Sequence, residues 1–469
     1  MMRRARTRRN CALPGIRLQR GQALVYGLFL LIGSLAALYF LFNTGQLARE
    51  KTKLVNTGDA VAYSAGVMHA RTLNYNAYAN RAMVANTIAI AQLVSLSSWI
   101  QYADNMANYG FTLATPKFAT FYPSYYAAQY SGPYGKSYLV DSGALEKLAA
   151  GSDRIIRQVL MNAQQVAYAA LIPARRDVMN EVARANYHDD GTVSVDTIPL
   201  TANEFTSFIS RYADDERTRF AELARTAAKR DRFVARRSWV MPGLWADCAG
   251  ALPRVDWLDR RGGTELIGFD EWKAMDTLSE KRWVPAHKTD VFCLALSEHP
   301  AGWGMQSVAD DPAFDPDLRH YDYSMVVNPA ASGLAMLTSS SDWGYSGLPA
   351  FYDLSEESLK QGDPRLQFAI RLRRDKAQTV TSEGRSRIRA TPRLNAYAAT
   401  AAGGNELVAV AASEVFFERP PAERNNSYGR SIGRPHEIGS LFNPYWQVRL
   451  IHSDSSITAA QALQGAVLP

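Results

Sequence analysis

Little in this chain points to chemistry. The 469 residues include only three cysteines, Cys11, Cys248 and Cys293. There is no HExxH, no Walker loop and no CxxC. The seven histidines are scattered, so they do not suggest a zinc site. Residues 1–20 contain no acid, and no charge of either sign occurs between Arg20 and Arg49. Proline is absent from residues 47–109. These absences argue against a metalloprotease, a nucleotide-binding loop and a thioredoxin-like redox centre. The sequence is expected to hold no cofactor and no metal and not to be an enzyme.

The uncharged gap is filled by ALVYGLFLLIGSLAALYFLF, Ala23 to Phe42. Twenty residues of helix rise about 30 Å, the thickness of a bilayer's hydrocarbon layer. A soluble core helix is rarely apolar on every side. The run is expected to cross a membrane once. The alternative is a cleaved secretory signal. The run is longer than a signal core, and Asn43 to Arg49 is a poor small-x-small cleavage site, so an uncleaved anchor is expected.

Seven arginines precede the span: Arg3, Arg4, Arg6, Arg8, Arg9, Arg17 and Arg20. Arginine-rich flanks stay in the cytoplasm, which places the bulk of the chain on the other side. They also account for the whole net charge of +7: without them 45 basic residues face 45 acidic ones. A neutral body with a basic tail is not a nucleic-acid-binding composition.

Residues 1–22 read as a cytoplasmic tail, 23–42 as the membrane helix and 43–110 as a long helix beyond it. Residues 111–240 read as a helical region and 241–469 as a mixed, strand-rich one. The fold class is α+β. Small residues in 47–109 suit close packing, and its asparagines and tyrosines suggest a face against polar protein surface. Asn43-Thr44-Gly45 and Asn74 to Asn80 are places for a kink.

Residues 110–140, with tyrosines from Tyr109 to Tyr134, read as an irregular connection. A second helix is expected over 142–187, with Ile155, Val159 and Val166 on one stripe and a kink or split at Pro173. Residues 192–199 alternate like a strand. Thr201 with Glu204 forms a capping box that opens a third helix, to about Arg237.

Residues 254–272 read as a hairpin turning at Arg261-Gly262-Gly263. Strands are expected at 366–373, 407–417 and 445–451, with Gly- and Ser-rich loops such as 331–349 between them. Asn425 to Gly433 reads as an exposed loop.

Other features carry two readings. Cys248 and Cys293 lie beyond the span and make either one disulfide or two buried free thiols. Gly33 and Ala37 form a small-xxx-small pair that lets helices approach closely, a spacing also frequent by chance. His188-Asp189-Asp190 reads as a polar turn rather than a ligand set. Asp454-Ser455-Ser456 resembles part of a divalent-metal adhesion motif, but Ile457 and Thr458 break it.

Arg20-Gly21-Gln22-Ala23, the apolar span, and Leu54 to Ala65 (LVNTGDAVAYSA, with Asp59 and Ala60) together resemble the TadE/TadG-like family. Arg260 to Thr264 and Gly439 to Leu450 add to the likeness. The family consists of membrane-anchored, pilin-like proteins of the bacterial tight-adherence, or Flp type IV, pilus.

The resemblance implies a single-pass inner-membrane protein with its N-terminus cytoplasmic and its bulk periplasmic. Its partners would be other pilus-assembly or pilin-like proteins, with homo- or hetero-oligomers formed through the N-terminal helix. Prepilins of this system carry glutamate five residues after the cleaved glycine. Counted from Gly21 that position is Tyr26, which implies an unprocessed anchor. The competing expectation is a membrane-tethered periplasmic binding or sensor module.

Overall fold

The computed structural model describes residues 22–106, 143–188, 191–198, 205–246, 255–287, 293–309, 327–337, 343–378, 406–419, 439–452, 454–455 and 458–459. One element dominates it. Helix α1, Gln22–Asn105, runs unbroken for 84 residues. At 1.5 Å per residue that is about 126 Å. Neither Asn43-Thr44-Gly45 nor Asn74 to Asn80 bends it out of helix. No proline interrupts the ladder, and Thr44 returns its hydroxyl to the Phe40 carbonyl at 2.8 Å.

The first part of α1 is bare. Leu24, Phe29, Leu30, Leu38 and Leu41 are all exposed. Burial begins at Leu54 and recurs at Val61, Ala62, Ala65, Leu73 and Ala77. This far part is the spine of the body.

A helical arm packs antiparallel to the spine. It consists of α2, Ala144–Arg154, a π-helical segment Ile155–Met161 and α3, Asn162–Asn186. Its start, Leu145 and Ala149, joins the core around Met83 to Ile100. Its end, Met179, Ala183 and Tyr187, joins the core around Leu54 and Val61. The helix is not split at Pro173, which sits exposed within α3.

Among the described residues three sheets flank the spine. Strands β1 (Ser194–Ile198), β8 (Leu366–Asp375), β9 (Glu406–Phe417) and β10 (Trp446–Ile451) form an antiparallel sheet in the order β1-β8-β9-β10. All four match the expected strands. Strands β2 (Ile209–Tyr212) and β7 (Phe351–Leu354) form a short ribbon. Strands β3 (Arg237–Ala246), β4 (Val255–Ile267), β5 (Glu271–Pro285) and β6 (Cys293–Ala309) form an antiparallel meander. Helix α1 crosses the first sheet early and the meander late.

Two expectations need correction. The third helix is not continuous. A helical turn, Phe205–Phe208, and strand β2 precede α4, Thr218–Arg230. Phe205, Phe208 and Ile209 are drawn into the core around Leu73 and Leu354, which outweighs local helix propensity. Thr201 and Glu204 lie outside the described residues.

The second correction concerns Arg261-Gly262-Gly263, which is the middle of β4 and not a turn. The turn lies at Gly268, whose φ of 58° suits glycine. Gly262 pairs with Asp276, and a Cβ on Gly262 would stand 2.6 Å from the Asp276 carboxylate. Glycine is needed there to make room for a side chain on the neighbouring strand. The Gly- and Ser-rich region 331–349 is not loop throughout, since Pro329–Met336 forms helix α5.

Candidate functional site: the surfaces of the long helix

Helix α1 presents three successive surfaces. The first, Ala23 to Phe42, is wholly exposed, long enough and apolar enough to cross a membrane. Gly33 and Ala37 lie on it one turn apart, and nothing approaches within 4 Å of a Cβ built on Gly33. Gln22 is the first residue of α1, while Arg20 and Gly21 lie outside the described residues.

The second surface is a polar collar at the start of the body. Glu50 holds Arg374 at 2.7 Å. Lys53 and Arg374 sit over the Tyr187 ring, at 4.4 and 4.5 Å from its centroid. Lys51 donates to the Val408 carbonyl. Two turns further, Asp59 and Ala60 are partly covered, and burial pushes the Asp59 carboxyl above its ordinary range. Gly58 and Gly66 lie against the first sheet. A Cβ on Gly58 would stand 3.4 Å from the Ala411 Cβ, and one on Gly66 would run into Val448 and Ser413.

The third surface is buried and studded with polar side chains, as its asparagines suggested. Asn74 bonds both polar groups of the Trp446 backbone, each at 3.0 Å. Asn80 donates to the carbonyls of Tyr352 at 2.8 Å and Leu441 at 2.6 Å, and accepts from Gln164 at 2.8 Å. Asn105 donates to the Trp303 carbonyl at 2.7 Å. A helix lying across strand ends and loops must meet unpaired carbonyls, and amides on its face satisfy them.

His69 belongs to this surface. Arg175 approaches its Nε2 to 3.0 Å, and its ring stacks on Phe205 at 5.5 Å between centroids. Burial, and secondarily the charge of Arg175, lower its pKa to about 3.

Near the far end of α1 lies a charged cluster that sequence reading missed. Asp276, fully buried on β5, pairs with Arg260 at 2.8 Å and Arg237 at 3.0 Å. It also accepts from Ser98 of α1 at 3.0 Å. Arg260 lies 4.0 Å above the Tyr102 ring. Each carboxylate oxygen has a charged partner, so the cluster bolts α1 to the meander and leaves no open face for a reactant. The available signal was Gly302-Trp303-Gly304. Two glycines two apart on one strand face mark a close backbone approach, and α1 occupies that space.

Among the described residues no three His, Cys, Asp or Glu groups converge as a metal site would require. A surface depression of about 640 Å³ lies along Asn180, Tyr187, His188 and Thr192, and one of about 210 Å³ along Arg225, Lys229 and Thr264. Both are open to solvent.

Cys248 lies outside the described residues, as does the Cys293 side chain. The tyrosines of 109–134, Asp189-Asp190 and all of Asn425 to Gly433 lie outside as well. Sequence reading passed over one string there: Gly429 to Gly433 (GRSIG) has the Gly-x-Ser-x-Gly spacing. Comparison with known proteins finds no matching family model, no matching curated protein and no matching solved structure.

Proposed function

We propose that this chain is a membrane-anchored, pilin-like structural component in the assembly of a tight-adherence (Flp, type IV) pilus or a related secretion apparatus. The anchor lies in a bacterial inner membrane, the arginine-rich end is cytoplasmic and the body is periplasmic. It works by docking to other pilus-assembly proteins and performs no chemistry.

One observation carries the reading. A single unbroken helix presents a bare apolar span and then becomes the spine of a folded body. Such a helix sets the body at a fixed distance and orientation from the bilayer, as an assembly scaffold needs. The arginine-rich flank and the family-like segment around Asp59 and Ala60 support it further.

The test is genetic and biochemical. Replacing Leu31 and Leu35 by arginine places two charges mid-span, each costing about 3 kcal/mol at a helix centre. The variant is expected to leave the alkaline-washed membrane pellet. It should fail to restore pili and surface adhesion to a deletion strain of the encoding bacterium. A deletion strain with normal pili and adhesion would overturn the proposal.

A further inference from the structure

The stripe containing Ile155, Val159 and Val166 faces outward, away from the core. These residues and Leu148 are between 46% and 65% exposed. The inner side of the same arm is lined by Leu145, Ala149, Ile156, Leu171, Met179 and Ala183, all buried. The arm is therefore apolar on two faces, and the body accounts for only one.

The spacing of the outer face is specific. Leu148, Ile155, Val159 and Val166 fall on an alternating four-and-three register that Ser152 and Asn162 complete. Ala169 and Pro173 extend it by two positions. This is the a/d repeat of a two-stranded coiled coil, with Ser152, Val159 and Val166 at a and Leu148, Ile155 and Asn162 at d. The positions beside the seam are Ala149, Gly151, Ile156, Gln158, Ala163, Gln165, Ala170 and Ile172; none is charged, and Ala149 and Ile156 are turned into the core. The outward exposure continues through the π-helical segment.

We infer that this seam is the contact between two copies of the chain, paired parallel and in register. Three features select a second copy over another partner. A charge-free seam brings no like-charge repulsion when it meets itself, and offers no charge pattern for choosing a different helix. Ser152 and Asn162 are the two polar positions of the stripe, and each meets its own counterpart across the axis only in a parallel, in-register pair.

The third feature is orientation. The arm runs antiparallel to α1, as the pairs Gln164 with Asn80 at 2.8 Å and Arg175 with His69 at 3.0 Å show. Both elements therefore share one axis. If Ala23 to Phe42 spans a bilayer, two copies in that bilayer point the same way and present their seams parallel. The orientation rests on that reading of the anchor; the seam itself does not.

The seam from Leu148 to Pro173 is about 38 Å long. At about 10 Å wide it covers about 400 Å² per copy, half of a standard interface side. Confinement to one membrane supplies the effective concentration that such an area needs.

The test is oxidative cross-linking of the full chain in native membranes. Val159→Cys and Val166→Cys, each a single substitution, are compared with Lys229→Cys, exposed on α4, and with the wild-type chain as background. Both seam variants are expected to give a band of twice the chain mass, at least about tenfold above both controls. Val166→Asp placed in the Val159→Cys chain should bring the cross-linked band in membranes down to control level without lowering the melting temperature, because the site is exposed within one copy.

Cross-links at control level would overturn the proposal, and so would adducts of another mass. Pairs that form only between Leu148→Cys and Pro173→Cys, the two ends of the seam, would overturn the parallel orientation. An alkaline wash in the same experiment separates the two readings. A chain that leaves the pellet but still cross-links at Val159 and Val166 refutes the anchor and not the seam.

Discussion

Gly304 on β6 lies directly beneath Tyr102 of α1. A Cβ on Gly304 would stand 2.5 Å from the Tyr102 amide nitrogen and 2.9 Å from the Gln101 Cβ. It would come closer still to the Ser98 carbonyl oxygen. Backbone blocks this position, and backbone cannot rotate away as a side chain can. Gly304→Ala is therefore expected to destabilise the body by about 1–3 kcal/mol, the usual cost of overpacking. Denaturant unfolding of the detergent-solubilised chain measures it. Gly302→Ala should cost less, because its nearest neighbour, the Met106 Cβ, stands 2.9 Å away, whereas at Gly304 the Tyr102 amide nitrogen stands at 2.5 Å. Equal and negligible costs would show that α1 does not lie on β6.

Asp276 neutralises two guanidiniums and has no exposure of its own. Asp276→Ala leaves Arg260 and Arg237 without their carboxylate, and should cost about 3–5 kcal/mol. Arg260→Ala is expected to cost more than Arg237→Ala, since the Arg260 side chain is 10% exposed against 16% for Arg237 and also covers the Tyr102 ring. Thermal unfolding of the three variants ranks them. An Asp276→Ala protein as stable as wild type would remove the cluster's structural role.

His69 gives the chain a calculable acid sensitivity. Its folded pKa is lowered to about 3, against an ordinary value near 6.5. Between those values the unfolded chain binds a proton that the folded chain refuses. Stability is full above pH 6.5 and falls as the pH drops, by about 1.4 kcal/mol per pH unit from this group alone. His69→Gln removes the titration, and other groups contribute to both proteins alike. The difference between wild type and variant should therefore shrink or reverse from pH 7 to pH 4 in denaturant titrations. Parallel curves would mean that the folded state admits a charged His69.

Much of this architecture is written locally. The uncharged run from Ala23 to Phe42, the proline-free stretch after it, and the alternation over 366–373, 407–417 and 445–451 each announce one element through short-range rules. The asparagines of α1 announced a polar contact face, and Asn74 and Asn80 make one.

Other features depended on what came to lie alongside. Two glycines at 262–263 are a turn signal to a local reading, yet β4 runs through them because the Asp276 side chain on the next strand needs the room. The charged cluster around Asp276 draws on three strands and α1, and no window of sequence contains it. The arm from Ala144 to Asn186 has two apolar stripes, and helical periodicity marks both equally. Sequence alone determined that the arm is a helix with apolar faces. Only the tertiary structure decided which face turned inward, because that choice depends on which stripe fits the spine, and fit is a property of two surfaces.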